Sequence, residues 1–153
     1  MTTLKQGDKA PDFIAKNQDG EEIRLSDYKG RKLALYFYPK DNTSGCTAEA
    51  CSLRNSHANL QAAGYEVLGV SPDSEKSHTS FIVKYSLPFP LIADTDKALA
   101  QAYGVWGEKK MCGRAYFGII RTTFIIDKNG IIEDVISKVD VKNAGEQILA
   151  KLA

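Results

Sequence analysis

The chain has 153 residues, enough for one domain with a substantial core, and we expect a single domain spanning residues 1–153. Its 20 basic and 19 acidic residues give a net charge of +1, which argues against nucleic acid or an anionic membrane surface as partners. No apolar run is long enough to cross a bilayer, and the N-terminal segment lacks the apolar stretch of a signal peptide. We therefore expect a cytoplasmic protein, in which cysteines are more often catalytic, metal-binding or inert than structural bridges.

The elements alternate between strands and helices after an initial hairpin. The Asp-Gly pair in Asn17-Gln18-Asp19-Gly20 is a strong hairpin turn signal. The apolar run 33–38 is typical of a strand covered on both faces, and Pro39 ends it. A helix capped at Thr43 or Ser44 is predicted to stop at Gly64. In chain order, the predicted elements are strands 12–15, 21–24 and 33–38, helix 43–64, strand 65–70, a helix from the Asp73-Ser74 cap to the residue before Pro88, strand 91–93, helix 96–103, strands 121–127 and 131–137, and helix 144–152.

This order predicts an α/β fold with a mixed sheet flanked by helices on both faces. Strand–helix–strand units imply parallel pairing, and the Asn129-Gly130 turn adds an antiparallel edge. The pattern is compatible with a thioredoxin-like fold that carries an N-terminal β-hairpin. The segment 107–114 is predicted to be a basic loop bounded by glycines.

Cys46 follows a buried strand and lies at the start of the predicted helix. The free N–H groups and the positive dipole end of a helix N-terminus both favour a thiolate. A free cysteine is more often a small core residue, but the small and polar neighbours Ser44, Gly45 and Thr47 argue against apolar burial here. We therefore predict that Cys46 is reactive.

Cys51 lies five residues after Cys46, which is not the spacing of a two-residue redox pair or a zinc knuckle. A zinc site would need two further ligands, and only His57 and His78 are available, neither at a recognisable local spacing. We interpret both histidines as solvated surface residues and expect no metal. On its own, this spacing leaves Cys51 open between a packed helix residue and a redox role.

Two further residues stay ambiguous from the sequence alone. Cys112 lies among Lys109, Lys110 and Arg114, which would favour reactivity, but an incidental loop cysteine is the simpler interpretation. Arg121 opens an apolar strand. Its guanidinium would either reach solvent at the strand end or bind an anion near the sheet edge.

The segment 36–51 resembles the active-site segment of peroxiredoxins, and most closely that of the bacterioferritin-comigratory-protein or peroxiredoxin Q branch. The family signature is Pro, three residues, Thr or Ser, two residues, Cys, and it falls on Pro39, Thr43 and Cys46. A second cysteine five residues later marks the branch, and Cys51 occupies that position. Segments 69–74, 87–91, 103–109 and 121–124 resemble the same branch in the same order, so the resemblance covers nearly the whole chain.

This resemblance implies a thiol peroxidase that reduces hydrogen peroxide and organic hydroperoxides. Cys46 would attack the peroxide and become a sulfenic acid, which Cys51 would resolve as an intramolecular disulfide. A thioredoxin-type protein would then reduce that disulfide, with no metal or bound cofactor required. The branch is often monomeric, so we expect a monomer. The branch has no role that we know for a cysteine at position 112, which leaves open whether Cys112 competes as a resolving thiol.

The resemblance also implies roles for the residues around Cys46. Thr43 would hydrogen-bond the peroxide and the thiolate, and Arg121 would stabilise the thiolate and the polarised oxygens. Pro39 would shield the pocket from water, and Glu49 would position the arginine. Backbone N–H groups near Cys46 would bind the peroxide oxygens as charge develops.

Two other functions stay open. A thioredoxin-like disulfide oxidoreductase would be expected to carry C-x-x-C after the strand, whereas this chain carries C-x4-C. A non-enzymatic binding or holdase module would keep the fold and use the cysteines structurally.

Overall fold

The computed structural model describes residues 2–152, and the side chains of residues 2–151. Its strands are β1 Ile14–Lys16, β2 Glu22–Arg24, β3 Lys32–Phe37, β4 Tyr65–Ser71, β5 Leu91–Ala93, β6 Trp106–Met111, β7 Arg114–Ile119, β8 Thr122–Ile126 and β9 Ile132–Ile136. Its α-helices are α1 Ser44–Asn55, α2 His57–Ala62, α3 Glu75–Tyr85, α4 Ala98–Ala102 and α5 Ala144–Leu149. Short 3-10 turns at Leu25–Tyr28, Val141–Asn143 and Ala150–Leu152 are the remaining helical elements of the described residues.

A five-stranded sheet in the order β5-β4-β3-β8-β9 forms the centre of the molecule. Strands β3, β4 and β5 are parallel because helices connect them, whereas β8 and β9 pair antiparallel. The N-terminal hairpin pairs β1 with β2 as a separate small sheet. The mixed sheet and the N-terminal hairpin predicted from the sequence are therefore confirmed, with element bounds that move by one to a few residues.

The central strand β3 is buried on both faces, and its side chains alternate between two cores. Leu33, Leu35 and Phe37 pack on one face with α4 and the N-terminal hairpin. Ala34 and Tyr36 pack on the other face with α1, α2, α3 and α5. This alternation follows from the two-residue period of a strand, and it confirms helices on both faces of the sheet.

Two predictions about the elements were wrong. The segment 107–114 is not a loop, because β6 and β7 pair as an antiparallel hairpin whose tight turn is Cys112-Gly113, both with positive φ. A cysteine is an unusual residue for such a turn, so the sequence carried no turn signal there. The long helix 43–64 is interrupted at Ser56, which separates α1 from α2. No helix in the described part of the chain is long and apolar enough to span a bilayer.

Candidate active site

Cys46 is the third residue of α1, directly after the loop that leaves β3. Its side chain is 1% exposed and packs in the core on the α1 face of the sheet. The prediction that its polar neighbours would keep it out of apolar surroundings was wrong, because the helical period turns Cys46, Glu49, Ala50 and Leu53 inward together. The sulfur is therefore both buried and placed at the helix N-terminus, where free N–H groups favour an anion.

Arg121 lies against Cys46, although 75 residues separate them in the sequence. Strand β8 pairs antiparallel with β3 so that Thr122 faces Phe37, and this register brings the residue before β8 to the end of β3. Nη2 of Arg121 donates to Cys46 Sγ at 3.2 Å. Nη1 donates to Oε1 of Glu49 at 2.5 Å. The guanidinium thus joins the thiol and the carboxyl group, which sequence reasoning alone could not bring together.

Glu49 is 0% exposed, and its Oε2 atom has no hydrogen-bond partner among the described residues. Burial raises the pKa of this carboxyl group to about 7, and the charge and hydrogen bond of Arg121 only partly offset that effect. Burial disfavours the charged form of Arg121 as well, but Glu49 and Cys46 together raise the pKa of the guanidinium above its usual value. Arg121 is therefore a persistent cation beside the sulfur.

Pro39 and Thr43 lie in the loop between β3 and α1. Pro39 is half-buried, and Thr43 is an exposed N-cap residue with extended backbone angles. The Thr43 hydroxyl donates to the carbonyl oxygen of Lys40 at 2.8 Å. Within the described residues it makes no hydrogen bond to Cys46, so the predicted contact with the thiolate is absent from this structure.

The other two cysteines lie in different places. Cys51 is a half-buried residue of α1, on the same continuous helix as Cys46, and both are free thiols. Cys112 is exposed at the tip of the β6–β7 hairpin. Cys51 therefore lies on the same helix as Cys46, whereas Cys112 lies at a hairpin tip.

From the sequence, Lys109 was considered only as a basic neighbour of Cys112. On β6 it pairs with Tyr116, and its ammonium donates to the carbonyl oxygen of Ile119 at 2.7 Å. Burial lowers the pKa of Lys109, and the charge of Arg121 lowers it further, whereas Cys46 acts in the opposite direction. The hairpin thus brings a second cation into the electrostatic field of the thiol, which the sequence could have indicated only if the hairpin had been recognised.

His78 is also placed differently from its prediction. It is fully buried on α3 rather than solvated at the surface. Its Nδ1 atom lies 2.8 Å from Oδ2 of Asp41, and its Nε2 atom lies 2.9 Å from the carbonyl oxygen of Ile92. Asp41, in the loop that precedes α1, also accepts hydrogen bonds from Tyr38 at 2.6 Å and from Ser77 at 2.8 Å. An isolated histidine in a helical pattern gave no signal for this buried network.

The chain is similar to proteins of a known family. The model of the AhpC/TSA family matches residues 6–135. Peroxiredoxin Bcp of Bacillus subtilis is 47% identical over 150 residues, which cover 98% of this chain and 96% of that protein. Peroxiredoxin Bcp of Escherichia coli is 42% identical over 149 residues, which cover 97% of this chain and 96% of that protein.

Solved structures lead to the same group of proteins. A cysteine-to-serine mutant of Xylella fastidiosa PrxQ superposes with a TM-score of 0.92 at 35% identity, covering 99% of this chain and 97% of that chain. Bacterioferritin comigratory protein of Xanthomonas campestris, studied for its alkyl peroxide reduction activity, superposes with a TM-score of 0.85 at 37% identity. That match covers 92% of this chain and 89% of the other.

Proposed function

Given that this chain belongs to the AhpC/TSA family and is a thiol-dependent peroxidase of the peroxiredoxin type, we propose that Cys46 is its peroxidatic residue and Cys51 its resolving residue. The observation that carries this assignment is the contact between Arg121 Nη2 and Cys46 Sγ at 3.2 Å, at a helix N-terminus. A fixed cation and free N–H groups stabilise the thiolate, which is the nucleophilic form.

The reaction begins when the Cys46 thiolate attacks one oxygen of the hydroperoxide. The O–O bond breaks, the sulfur–oxygen bond forms, and the leaving oxygen takes a proton and departs as water or an alcohol. Arg121 faces the sulfur and stabilises negative charge that develops on the oxygens. Thr43 and Pro39 lie in the loop between β3 and α1. We assign Thr43 to hydrogen bonding of the peroxide and Pro39 to exclusion of water. Glu49 holds the second arm of the guanidinium.

Resolution follows when the Cys51 thiol condenses with the Cys46 sulfenic acid, which forms the S–S bond and releases water. Both cysteines lie in α1, and residues five apart in a regular helix have Cα atoms about 8.7 Å apart. A disulfide requires no more than about 7 Å. The first turns of α1 must therefore unwind before the bridge closes.

The proposed cycle is completed by a thioredoxin-type dithiol, which reduces the bridge. Alkyl peroxide reduction by the related Xanthomonas protein supports organic hydroperoxides beside hydrogen peroxide as substrates. All of the assigned roles fall on residues of one chain, so we also propose that a cytoplasmic monomer is the active unit. Residues 1–153 would act as a single domain.

The test is mass spectrometry of the reduced protein after one equivalent of hydrogen peroxide, with thioredoxin-dependent turnover measured in parallel. We expect a Cys46–Cys51 disulfide in the wild type. Cys51→Ser should stop at the sulfenic acid and proceed to sulfinic acid with excess peroxide, and Cys46→Ser should be inert. Cys112→Ser is the matched control and should turn over normally. Turnover by Cys46→Ser would contradict the assignment, and a Cys46–Cys112 bridge would transfer the resolving role to Cys112.

A further inference from the structure

In the loop between β3 and α1, Tyr38 is held by the core and by β4, and the next point of attachment is Asp41. Its backbone N–H donates to Oδ2 of Asp73 at 2.8 Å, and the same oxygen accepts the Ser71 hydroxyl at 2.6 Å. Its side chain is buried and is held by Tyr38 and by α3, as described above. Both the backbone and the side chain of Asp41 are therefore tied to elements outside the loop.

The hydrogen-bond partners of His78 determine how many protons the His78–Asp41 pair carries. The Ile92 carbonyl can only accept, so Nε2 of His78 carries a hydrogen. Nδ1 faces a carboxyl oxygen at 2.8 Å, and such a contact requires one proton, either on the nitrogen or on the oxygen. In both cases the pair is electrically neutral as a whole and is joined by one shared proton. Such a bond, buried away from water, is strong and directional.

The residues that follow Asp41 lack comparable support. Asn42, Thr43 and Ser44 are exposed, and Asn42 adopts a left-handed φ of 63°. The Thr43 hydroxyl bonds only within the loop, to Lys40. The positions of Thr43 and of the first N–H groups of α1 relative to Cys46 therefore depend on where Asp41 is held.

We propose that Asp41 and His78 are positioning residues for the peroxide pocket, an inference that rests on the proposed role of Cys46. They act through the loop and do not touch the sulfur or the substrate. Their removal lets the loop shift, and a displacement of about 1 Å at a reacting group can cost as much as a hundredfold in rate. The chemistry of the thiol itself does not require them.

Metal binding is the other chemistry that these side chains suggest. One ligand atom each from Asp41, Asp73 and His78 lies within 4.8 Å of the others. However, Oδ2 of Asp73 already accepts two donors, and Nδ1 of His78 is engaged with Asp41. Because protein hydrogen bonds already occupy these atoms, the geometry favours a positioning network over a cation site.

The test compares two reactions of Cys46 in the wild type, Asp41→Ala, His78→Phe and Asp41→Asn. The first is oxidation by hydrogen peroxide in rapid-quench flow, followed by mass spectrometry. The second is alkylation by iodoacetamide, which needs the thiolate but no peroxide pocket. We expect the ratio of the oxidation rate to the alkylation rate to fall about tenfold to a hundredfold in Asp41→Ala and His78→Phe. In Asp41→Asn the same ratio should stay within about threefold of the wild-type ratio, because the asparagine amide can donate to Nδ1 of His78 while its oxygen still accepts from Tyr38.

One milder variant and one control keep the test decisive if the alanine or phenylalanine variants fold poorly. Tyr38→Phe removes one hydroxyl donor to Asp41 and should lower the same ratio by a smaller factor. Thr79→Val is the matched control on α3, since its hydroxyl bonds Gln18 and Glu75 outside the network. An unchanged ratio in the folded variants, or a parallel fall of both rates, would overturn the proposal. A wild type that peroxide does not oxidise at Cys46 would instead refute the proposed function.

Discussion

The first half of α1, residues 44–51, and its second half, residues 52–55, are held to the rest of the protein in different ways. In the first half, the side-chain hydrogen bonds to other elements come from Arg121, to Cys46 and Glu49. In the second half, Ser52 accepts the N–H of Gly145 at 3.1 Å and donates to Glu146 at 3.3 Å. The first half thus depends on one cation, whereas the second half is fixed to α5.

The same contrast appears in how the buried polar groups are satisfied. Among residues 2–151, Glu49 has one oxygen without a hydrogen-bond partner, whereas Ser52, less than one turn later, both donates and accepts. A buried polar atom without a partner costs on the order of 1–3 kcal/mol, and unwinding would return it to water. This difference indicates that α1 opens at its N-terminal end, the end that carries Cys46, the proposed nucleophile.

The most direct test of this contrast is hydrogen exchange along α1. We expect the amides of residues 47–51, which carry the first intrahelical hydrogen bonds, to lose protection in the disulfide form by at least about tenfold. The amide of Ser56, which donates to the Ser52 carbonyl oxygen, should keep its protection because α5 still holds Ser52. Exchange mass spectrometry of the reduced and oxidised protein measures this difference. Equal protection of both halves in a confirmed disulfide form would remove the contrast.

Arg121→Lys tests the cation on which the first half depends. The two guanidinium nitrogens of Arg121 donate to Cys46 and Glu49 at once, and a single ammonium group cannot reproduce that planar arrangement. We therefore expect the rate of Cys46 oxidation to fall by about a hundredfold to a thousandfold. Stopped-flow measurement with hydrogen peroxide gives this rate. Lys109→Met, which removes the neighbouring cation without touching the fork, is the control and should have a smaller effect. Wild-type rates in Arg121→Lys would make the arginine structural.

Glu49→Gln tests the unsatisfied carboxyl group through pH. The folded pKa of about 7 lies above the ordinary value of 4.5, so the folded protein binds more protons between these two pH values. The stabilising contribution of Glu49 is therefore full below pH 4.5 and is lost as pH rises through about 7. We expect the free energy of unfolding of the wild type, relative to Glu49→Gln, to fall by up to about 3 kcal/mol across this range. Urea unfolding at several pH values checks it, and a constant difference would show that Glu49 does not titrate there.

Gly145→Ala tests the anchor of the second half. A Cβ atom at position 145 would overlap the side chain of Ser56 and would lie 3.0 Å from the Ser52 carbonyl oxygen. We expect a loss of about 1–3 kcal/mol in unfolding free energy, with the rate of Cys46 oxidation unchanged. The double variant Gly145→Ala with Ser56→Gly should recover part of that stability. A slowed peroxide step in the single variant would show that the two halves are coupled.

Much of this architecture could be predicted from the sequence, because its signals are local. The buried strands, the Asn-Gly hairpin and the position of Cys46 at a helix start all follow from short patterns. The β6–β7 hairpin was missed because its turn uses Cys112, and its mostly exposed strands show no alternation. The pairing of Arg121 with Cys46 and of His78 with Asp41 depends on strand register and helix packing across 75 and 37 residues, which no local pattern encodes. The family resemblance predicted the pairing of Arg121 with Cys46, whereas no sequence feature predicted the pairing of His78 with Asp41.

The position of β8 between β3 and β9 determines when the active site can form during synthesis. Translation delivers β3 and Cys46 long before Arg121 and β8, so in the nascent chain Cys46 lacks the guanidinium that contacts it in the folded protein. Until β8 arrives, the apolar strand β3 also has an open edge, which is the kind of surface that other chains can pair with. Insertion of β8 closes that edge and places Arg121 against the sulfur in one event. A chain stopped before residue 121 would therefore lack both a closed sheet and an assembled peroxide site.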